Sequence, residues 1–222
     1  MQNKNEFLLR LEQAHDYPIT ENLVREAFWN LYGPGCDEHY MVHRMRSHPD
    51  FVPALTYVCQ VDGEVRGCIY YTKAKLIRED GQEKTVLTFG PLAVHPTYQR
   101  QGIGKALIEH TFPLARTMGY DTVVIFGHPG NYISRGFVSC QRKQVYVGDG
   151  VYPTAMLVKE LIPGVLEGHT WQFRESDAGD CLADQEAVAA FDENFPKKPR
   201  ITGTPSQEEF YIYSHSTVCG CM

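Results

Sequence analysis

Between Gly90 and Lys105 the chain reads Gly-Pro-Leu-Ala-Val-His-Pro-Thr-Tyr-Gln-Arg-Gln-Gly-Ile-Gly-Lys, an apolar run feeding a glycine-containing turn that opens a helical pattern. A turn of this kind gathers unpaired backbone N–H groups at the positive end of a helix dipole, so it suits a phosphate or pyrophosphate. Gly102 and Gly104 let a ligand approach the backbone where a Cβ would obstruct it. The same glycine pair also serves tight packing, so the residues alone define an anion site of unspecified kind. Two common phosphate motifs are excluded. No Gly-x-x-x-x-Gly-Lys-Ser/Thr is present, and Gly102-x-Gly104 is followed by Leu107 where a dinucleotide fingerprint carries Gly or Ala. Arg100 and Lys105 flank the turn and are candidates for a charge contact to the ligand.

The surrounding elements follow from periodicity. Phe7 to Leu11 reads as a short strand, and a helix opens near Ile19 with Thr20 as its N-cap and Leu23, Ala27, Phe28 and Leu31 at helical spacing. After the Gly33-Pro34-Gly35 break, a second helix runs from about Asp37 to Ser47. Ala54 to Val61 and Val65 to Thr72 form a hairpin around Asp62-Gly63-Glu64, and Thr85 to Val94 is a further strand. The helix from Gly102 to Met118 ends at Gly119, and Pro113 should kink or divide it. Thr122 to Phe126 is a continuous apolar run, the mark of a strand covered on both faces. Phe137 to Val147 and Tyr152 to Lys159 are expected to pair around Gly148-Asp149-Gly150. The order predicts an α/β (α+β) fold, a mixed sheet of about six or seven strands flanked by helices. Residues 1–160 form the main domain and 161–222 a C-terminal extension, with Thr170 to Glu175 as one strand and Leu182 to Asn194 as a helix. The extension is expected to pack on the core or cap the substrate cleft.

Composition narrows the partners. With 222 residues, 43% of them hydrophobic, the chain can bury a core unaided, and a net charge of −6 with no long basic run argues against nucleic acid and anionic membrane. The polar start Met1 to Glu6 lacks the pattern of a secretory signal, and no segment approaches the roughly 18 apolar residues of a membrane span, so a cytoplasmic protein is expected. Seven scattered cysteines lack the paired spacing of a structural zinc site and read as reduced thiols, with Cys219 and Cys221 in a frayed tail. No metal is expected.

Gln99-Arg100-Gln101-Gly102-Ile103-Gly104 resembles the Gln/Arg-x-x-Gly-x-Gly/Ala acetyl-CoA signature of the GNAT acetyltransferases, and Leu92-Ala93-Val94-His95-Pro96 resembles the strand that enters it. Downstream, Tyr132-Ile133-Ser134-Arg135-Gly136-Phe137 is similar to the family's Tyr-x-x-x-Gly-Phe segment, and the approach through Phe126-Gly127-His128-Pro129 looks most like the bacterial subgroup typified by YhbS. The resemblance covers roughly residues 5–160. It implies the GNAT fold and direct acetyl transfer from acetyl-CoA, a co-substrate, to an amine of a small molecule or peptide, with no covalent enzyme intermediate and no metal. It places the cofactor on Leu92, Ala93, Val94, Gln99, Arg100, Gln101, Gly102, Ile103, Gly104 and Lys105, with Asn131 either orienting the cofactor or capping a helix. The pantetheine arm would lie between strands that splay apart near Val94 and Phe126. Tyr132 takes the place of the family's general acid, and a backbone N–H at the end of the Leu92 to Val94 strand would meet the oxyanion.

The general base departs from the family pattern. The strand positions that often carry it hold Thr88 and Gly90, which cannot serve; His128, Glu38 and His39 are the nearest substitutes, and His95 reads as structural. The missing base keeps open a second class, a non-catalytic acyl-CoA-binding or regulatory module. Phe210, Tyr211 and Tyr213 fit an interface, such as that of a homodimer, as well as they fit the core.

Overall fold

The computed structural model describes residues 7–219, so Met1 to Glu6 and Cys221 lie outside the described residues. In chain order the elements are β1 (Leu8–Leu11), α1 (Tyr17–Phe28), α2 (Glu38–Met45), β2 (Tyr57–Val61), β3 (Glu64–Arg78), β4 (Glu83–Val94), α3 (Ile103–Thr117), β5 (Thr122–Phe126), α4 (Pro129–Tyr132), β6 (Val138–Ser139), β7 (Val145–Tyr146), β8 (Met156–Glu160), β9 (Trp171–Arg174), α5 (Gln185–Asp192) and α6 (Pro205–Ser214). All nine strands join one sheet, in the order β1-β2-β3-β4-β5-β8-β6, with β9 beside β3 and β7 beside β9. β4–β5 and β7–β9 are parallel and the other pairs antiparallel.

Alternation along β3 divides its side chains between two layers, as the two-residue period of a strand requires. Ile69 and Tyr71 face α3, where they meet Ile103, Leu107 and Ile108. Cys68 and Tyr70 face α1 and α2, packing with Leu23, Val24, Val42 and Met45. Gly67 sets how closely α3 approaches, because a Cβ there would stand 2.5 Å from Ile103 Cγ2. The far half of β3 sits over a further apolar cluster, in which Leu76, Val86, Val124, Met156, Trp171 and Phe173 are buried.

Several expectations are corrected. Thr20 is no N-cap: α1 begins a turn earlier behind Asp16, and the buried Thr20 hydroxyl donates to Glu12 Oε1 at 2.7 Å. The strand expected from Ala54 begins at Tyr57, after a 3-10 turn at Pro53–Leu55. Pro113 does not divide α3, which runs unbroken through it. Pro113 is exposed, so the carbonyl it leaves without an N–H faces water, while Ile108, Thr111 and Ala115 hold the other side of the helix against the sheet. The expected hairpin from Phe137 is broken. Val138 pairs with Val158, but after the 3-10 turn Cys140–Lys143 the backbone reverses at Gln144 (φ 53°), and Val145 leaves to pair with Trp171. Only the bridge between Val147 and Val151 closes the Gly148–Gly150 turn.

In the C-terminal region, Trp171–Arg174 forms the expected strand and extends the main sheet along Lys75–Arg78 of β3. The helix expected from Leu182 begins at Gln185, behind a 3-10 stretch at Asp177–Ala183. α6 was not anticipated, although Thr204-Pro205-Ser206-Gln207 carries a capping box in which Thr204 Oγ1 accepts from Gln207 N.

Candidate functional site

A cleft of about 810 Å³ opens where two parallel strands part. β4 and β5 are aligned at Leu87 opposite Val123; beyond that β5 ends at Phe126 while β4 continues to Val94. The break has a local cause. Ile69 pairs with Leu92 and Tyr71 with Phe89, so Gly90 and Pro91 together oppose Tyr70 in a bulge, which bends β4, and Pro91 has no N–H to donate to a neighbour. The edges of β4 and β5 therefore separate and leave Phe89, Gly90, Pro91, Leu92 and Val94 along one wall.

The glycine turn closes one end. Gly102 is the N-cap of α3 at φ 95°, a left-handed conformation that glycine adopts without a Cβ clash, and Arg100 also lies at positive φ, 63°. The first turn of α3 presents the N–H groups of Ile103, Gly104 and Lys105, which precede the helix's own bond from Ala106 N to Gly102 O. Gly104 is informative because the fold does not demand it. Its φ is not positive, and a Cβ built there would meet Leu92 Cδ2 at 3.7 Å and Val94 Cγ2 at 3.8 Å, ordinary contact distances. Gln99, Arg100, Gly102, Ile103, Gly104 and Lys105 line the cleft, as do Leu92, Val94, Asn131 and Tyr132. Two predicted residues are placed elsewhere. Ala93 points to the opposite face, buried against α1 and α2, and Gln101 turns back to donate its amide to Thr97 O at 3.1 Å.

Tyr132 stands on the facing wall. Its ring packs between Phe89 and Phe137, with centroids 5.8 Å and 5.7 Å away. Gly127 makes room for it: a Cβ there would lie 2.7 Å from Tyr132 Cε2. Burial, with a smaller push from Tyr213, moves the Tyr132 phenol up to about 12, so it holds its proton at neutral pH. His128, just before, accepts from Gly130 N at 3.1 Å through Nδ1, while Nε2 lies 3.0 Å from Glu209 Oε1 of α6. Both ring nitrogens are engaged, so His128 is a helix cap and a tie to α6 rather than a base.

The far end is built by α1, α2 and the loop between them. Ala27, Phe28, Leu31, Tyr32 and Met41 give an apolar surface broken by Glu26 and Glu38. Of the substitutes for the missing base, Glu38 alone reaches this wall. His39 is fully buried on the other side of α2, 3.3 Å from Asp192 and packed against Phe191 and Phe195, and burial lowers it to about 4. Thr88 is buried outside the cleft, and His95 accepts from Thr97 N as the cap of the Pro96–Tyr98 turn. The C-terminal region braces this wall from behind. Arg25, 1% exposed, donates from Nε to Asp192 Oδ1 at 2.6 Å; Trp29 Nε1 and Asn30 Nδ2 both donate to Pro199 O; Phe210 stacks on Tyr32 at 4.5 Å. Phe210 and Tyr213 are thus packed within the chain, whereas Tyr211 is 59% exposed. The roles of Gly127, the Gly90-Pro91 bulge and Tyr32 were not read from the sequence. The first two leave a signal there, a glycine or proline beside or within a predicted strand; Tyr32 leaves none.

A mixed sheet that opens between two parallel strands beside a glycine-turned helix N-terminus defines an acyl-CoA type of transferase fold. Residues 24–140 match the acetyltransferase (GNAT) family, more than half of the chain, and the protein belongs to that family. It is 32% identical over 108 residues to the uncharacterized N-acetyltransferase YjhQ of Escherichia coli K12, a match covering 49% of this chain and 56% of that relative. The uncharacterized N-acetyltransferase YhbS of the same strain is 28% identical over 130 residues, 59% of this chain and 72% of that one. In fold, the chain resembles the crystal structure of YhbS in complex with CoA, with a TM-score of 0.68, 24% identity and coverage of 78% of this chain and 92% of that one. A GNAT family acetyltransferase from Brucella melitensis in complex with acetyl-CoA gives a TM-score of 0.62, 22% identity and coverage of 79% and 99%.

Proposed function

We propose that the protein is an N-acetyltransferase that takes an acetyl group from acetyl-CoA and delivers it to an amine of a small molecule or peptide. The observation that carries this reading is the glycine turn. Gly102 caps α3 at φ 95°, and the free N–H groups of the first turn of α3 open onto the cleft where β4 and β5 part. Arg100, Lys105 and Arg135 put positive charge on the cleft lining, and on the α1–α2 wall Glu38 supplies a carboxylate, Glu26 being paired with Lys198. That polarity matches an anionic cofactor and a cationic acceptor.

Acetyl-CoA supplies an acetyl thioester. An N–C bond forms as the C–S bond breaks, giving an amide, the CoA thiol and one proton released to solvent. In this reading the backbone N–H groups on the open edge of β4 beyond Pro91 stabilise the developing oxyanion. Tyr132, neutral and held between Phe89 and Phe137, gives its proton to the departing sulfur and recovers one from the attacking nitrogen through water. A thiolate leaves readily, so Tyr132 contributes roughly 10 to 100-fold, at or below the usual general-acid effect.

The test compares wild type with Gly104→Glu, which places bulk and negative charge over the turn. A ligand at 100 times its Kd stabilises the native state by about 2.7 kcal/mol, a rise in Tm of roughly 5–10 °C for a chain of this size. Acetyl-CoA should give that rise in wild type and none in the folded variant, and an amine panel should release thiol. Stabilisation without thiol release would mean an acyl-CoA-binding module; no stabilisation removes the cofactor assignment.

A further inference from the structure

We propose that Glu38 receives the acceptor's ammonium group and takes a proton from it, and that the acceptor is a primary amine carried on an apolar or aromatic body. The inference rests on the acetyl-transfer reading above. At the pH where an enzyme works an alkylamine is protonated, and the attacking nitrogen must first lose a proton. One N–H bond breaks as an O–H bond forms on the Glu38 carboxylate, the freed lone pair attacks, and Glu38 later returns its proton to water.

The placement of Glu38 supports this role. It begins α2 and lines the cleft on the wall opposite the phosphate turn, in the company of Phe28, Leu31, Tyr32 and Met41. Its Oε2 is held by the Cys36 thiol at 3.1 Å and by Asp37 N at 3.2 Å, so the carboxyl is oriented without an ion pair from any Lys or Arg among the described residues. Tyr32, Glu38 and Tyr132 all line this one cleft. Burial raises the Glu38 carboxyl, helped by the charge of Asp37 and opposed by the bonds from Cys36 and the backbone. A carboxylate whose proton affinity is raised is better matched to an ammonium than an ordinary carboxylate is. The charged or titratable groups next to it are Asp37 and Cys36 from its own segment and Tyr32 from the α1–α2 loop, and Tyr132 from α4 lines the same cleft.

The same wall sets the acceptor class. Its second carboxylate, Glu26, is already paired with Lys198 at 2.8 Å, so it leaves one carboxylate for one ammonium. A second or third cation on the acceptor would lie against Phe28, Leu31 and Met41, where an unpaired charge loses its hydration. An apolar or aromatic body covers those side chains instead.

The experiment measures thiol release from acetyl-CoA by the full chain, with 2-phenylethylamine and spermidine as probes, for wild type, Glu38→Gln and Glu38→Asp. The expected result is a kcat/KM for 2-phenylethylamine at least ten-fold above that for spermidine. Glu38→Gln should lower it by about 10² to 10³ and remove the acid limb of the pH profile, and Glu38→Asp should restore part of both. All three proteins should keep the acetyl-CoA rise in Tm, which shows that they fold and bind cofactor. A Glu38→Gln protein within three-fold of wild type, or with an unchanged acid limb, overturns the role of Glu38. Preferred turnover of spermidine overturns the acceptor class. Loss of the Tm rise in wild type, or thiol release from neither amine, falls instead on the acetyl-transfer reading and takes this proposal with it.

Discussion

Replacing Asp192 with Ala removes the anion that holds a buried cation behind the α1–α2 wall of the cleft. Arg25 is 1% exposed and reaches Asp192 at 2.6 Å, and its guanidinium otherwise lies over the rings of Trp29 at 4.1 Å and Phe195 at 5.4 Å. Its Nη1 has no hydrogen-bond partner among the described residues, so little else compensates the charge. Burial pushes the Asp192 carboxyl up, yet Arg25 outweighs it and holds the group below 3.8. Removing one partner of a buried pair costs about 3–5 kcal/mol, because the remaining charge stays in a poor solvent. For a chain of 222 residues this amounts to a fall in Tm of roughly 6–20 °C. Urea unfolding of Asp192→Ala, with Arg25→Leu/Asp192→Leu as control, provides the measurement. The double variant should regain most of the loss, since an apolar pair of similar reach carries no desolvation cost. A single variant within 1 kcal/mol of wild type would refute the reasoning and mean that water reaches Arg25.

Four further outcomes are expected. Tyr132→Phe should slow thiol release about 10 to 100-fold with the acetyl-CoA rise in Tm unchanged. Gly127→Ala should mimic it, because the new Cβ would stand 2.7 Å from the Tyr132 ring and displace it, and cofactor affinity should again persist. Gly67→Ala should lower stability by about 1–3 kcal/mol in urea unfolding, because its Cβ meets Ile103 at 2.5 Å and drives α3 off the sheet. His39, lowered from 6.5 to about 4, stays neutral in the fold while the unfolded chain takes a proton; stability is therefore full above 6.5, falls by up to about 3 kcal/mol toward pH 4 and levels below it. The difference in urea stability between pH 7 and pH 4.5 should shrink in His39→Phe.

The glycine turn was legible because its geometry is local: glycines, a strand and a helix lie within one run of sequence, and ten of the twelve residues anticipated there and at the facing motif line the cleft. The side chains of Gln101 and Ala93 leave the cleft for different reasons. Gln101 turns back onto the Pro96–Tyr98 turn, and a strand alternates its side chains, so a run of three consecutive strand residues cannot all face one wall. The α1–α2 wall was barely legible. His39 and Glu38 are adjacent in sequence, yet α2 sends one to Asp192 and the other to the cleft, and the partner that decides this stands more than 150 residues away. The broken hairpin after Phe137 has the same origin, since Val145 is taken by β9 and no local signal announces that competitor.

The separation between Arg25 and Asp192, 167 residues, also has a meaning in time. On a ribosome adding about 5–20 residues per second, α1 emerges with its cation roughly 8–33 s before the residue that neutralises it, and β9 reaches the free half of β3 scarcely sooner. Most of the sheet is made within that interval: β8 ends at Glu160, 32 residues before Asp192, so the sheet up to β8 is complete for only about the last 2–6 s of it. During synthesis the glycine turn between β4 and α3 is therefore finished before the α1–α2 wall is braced from behind.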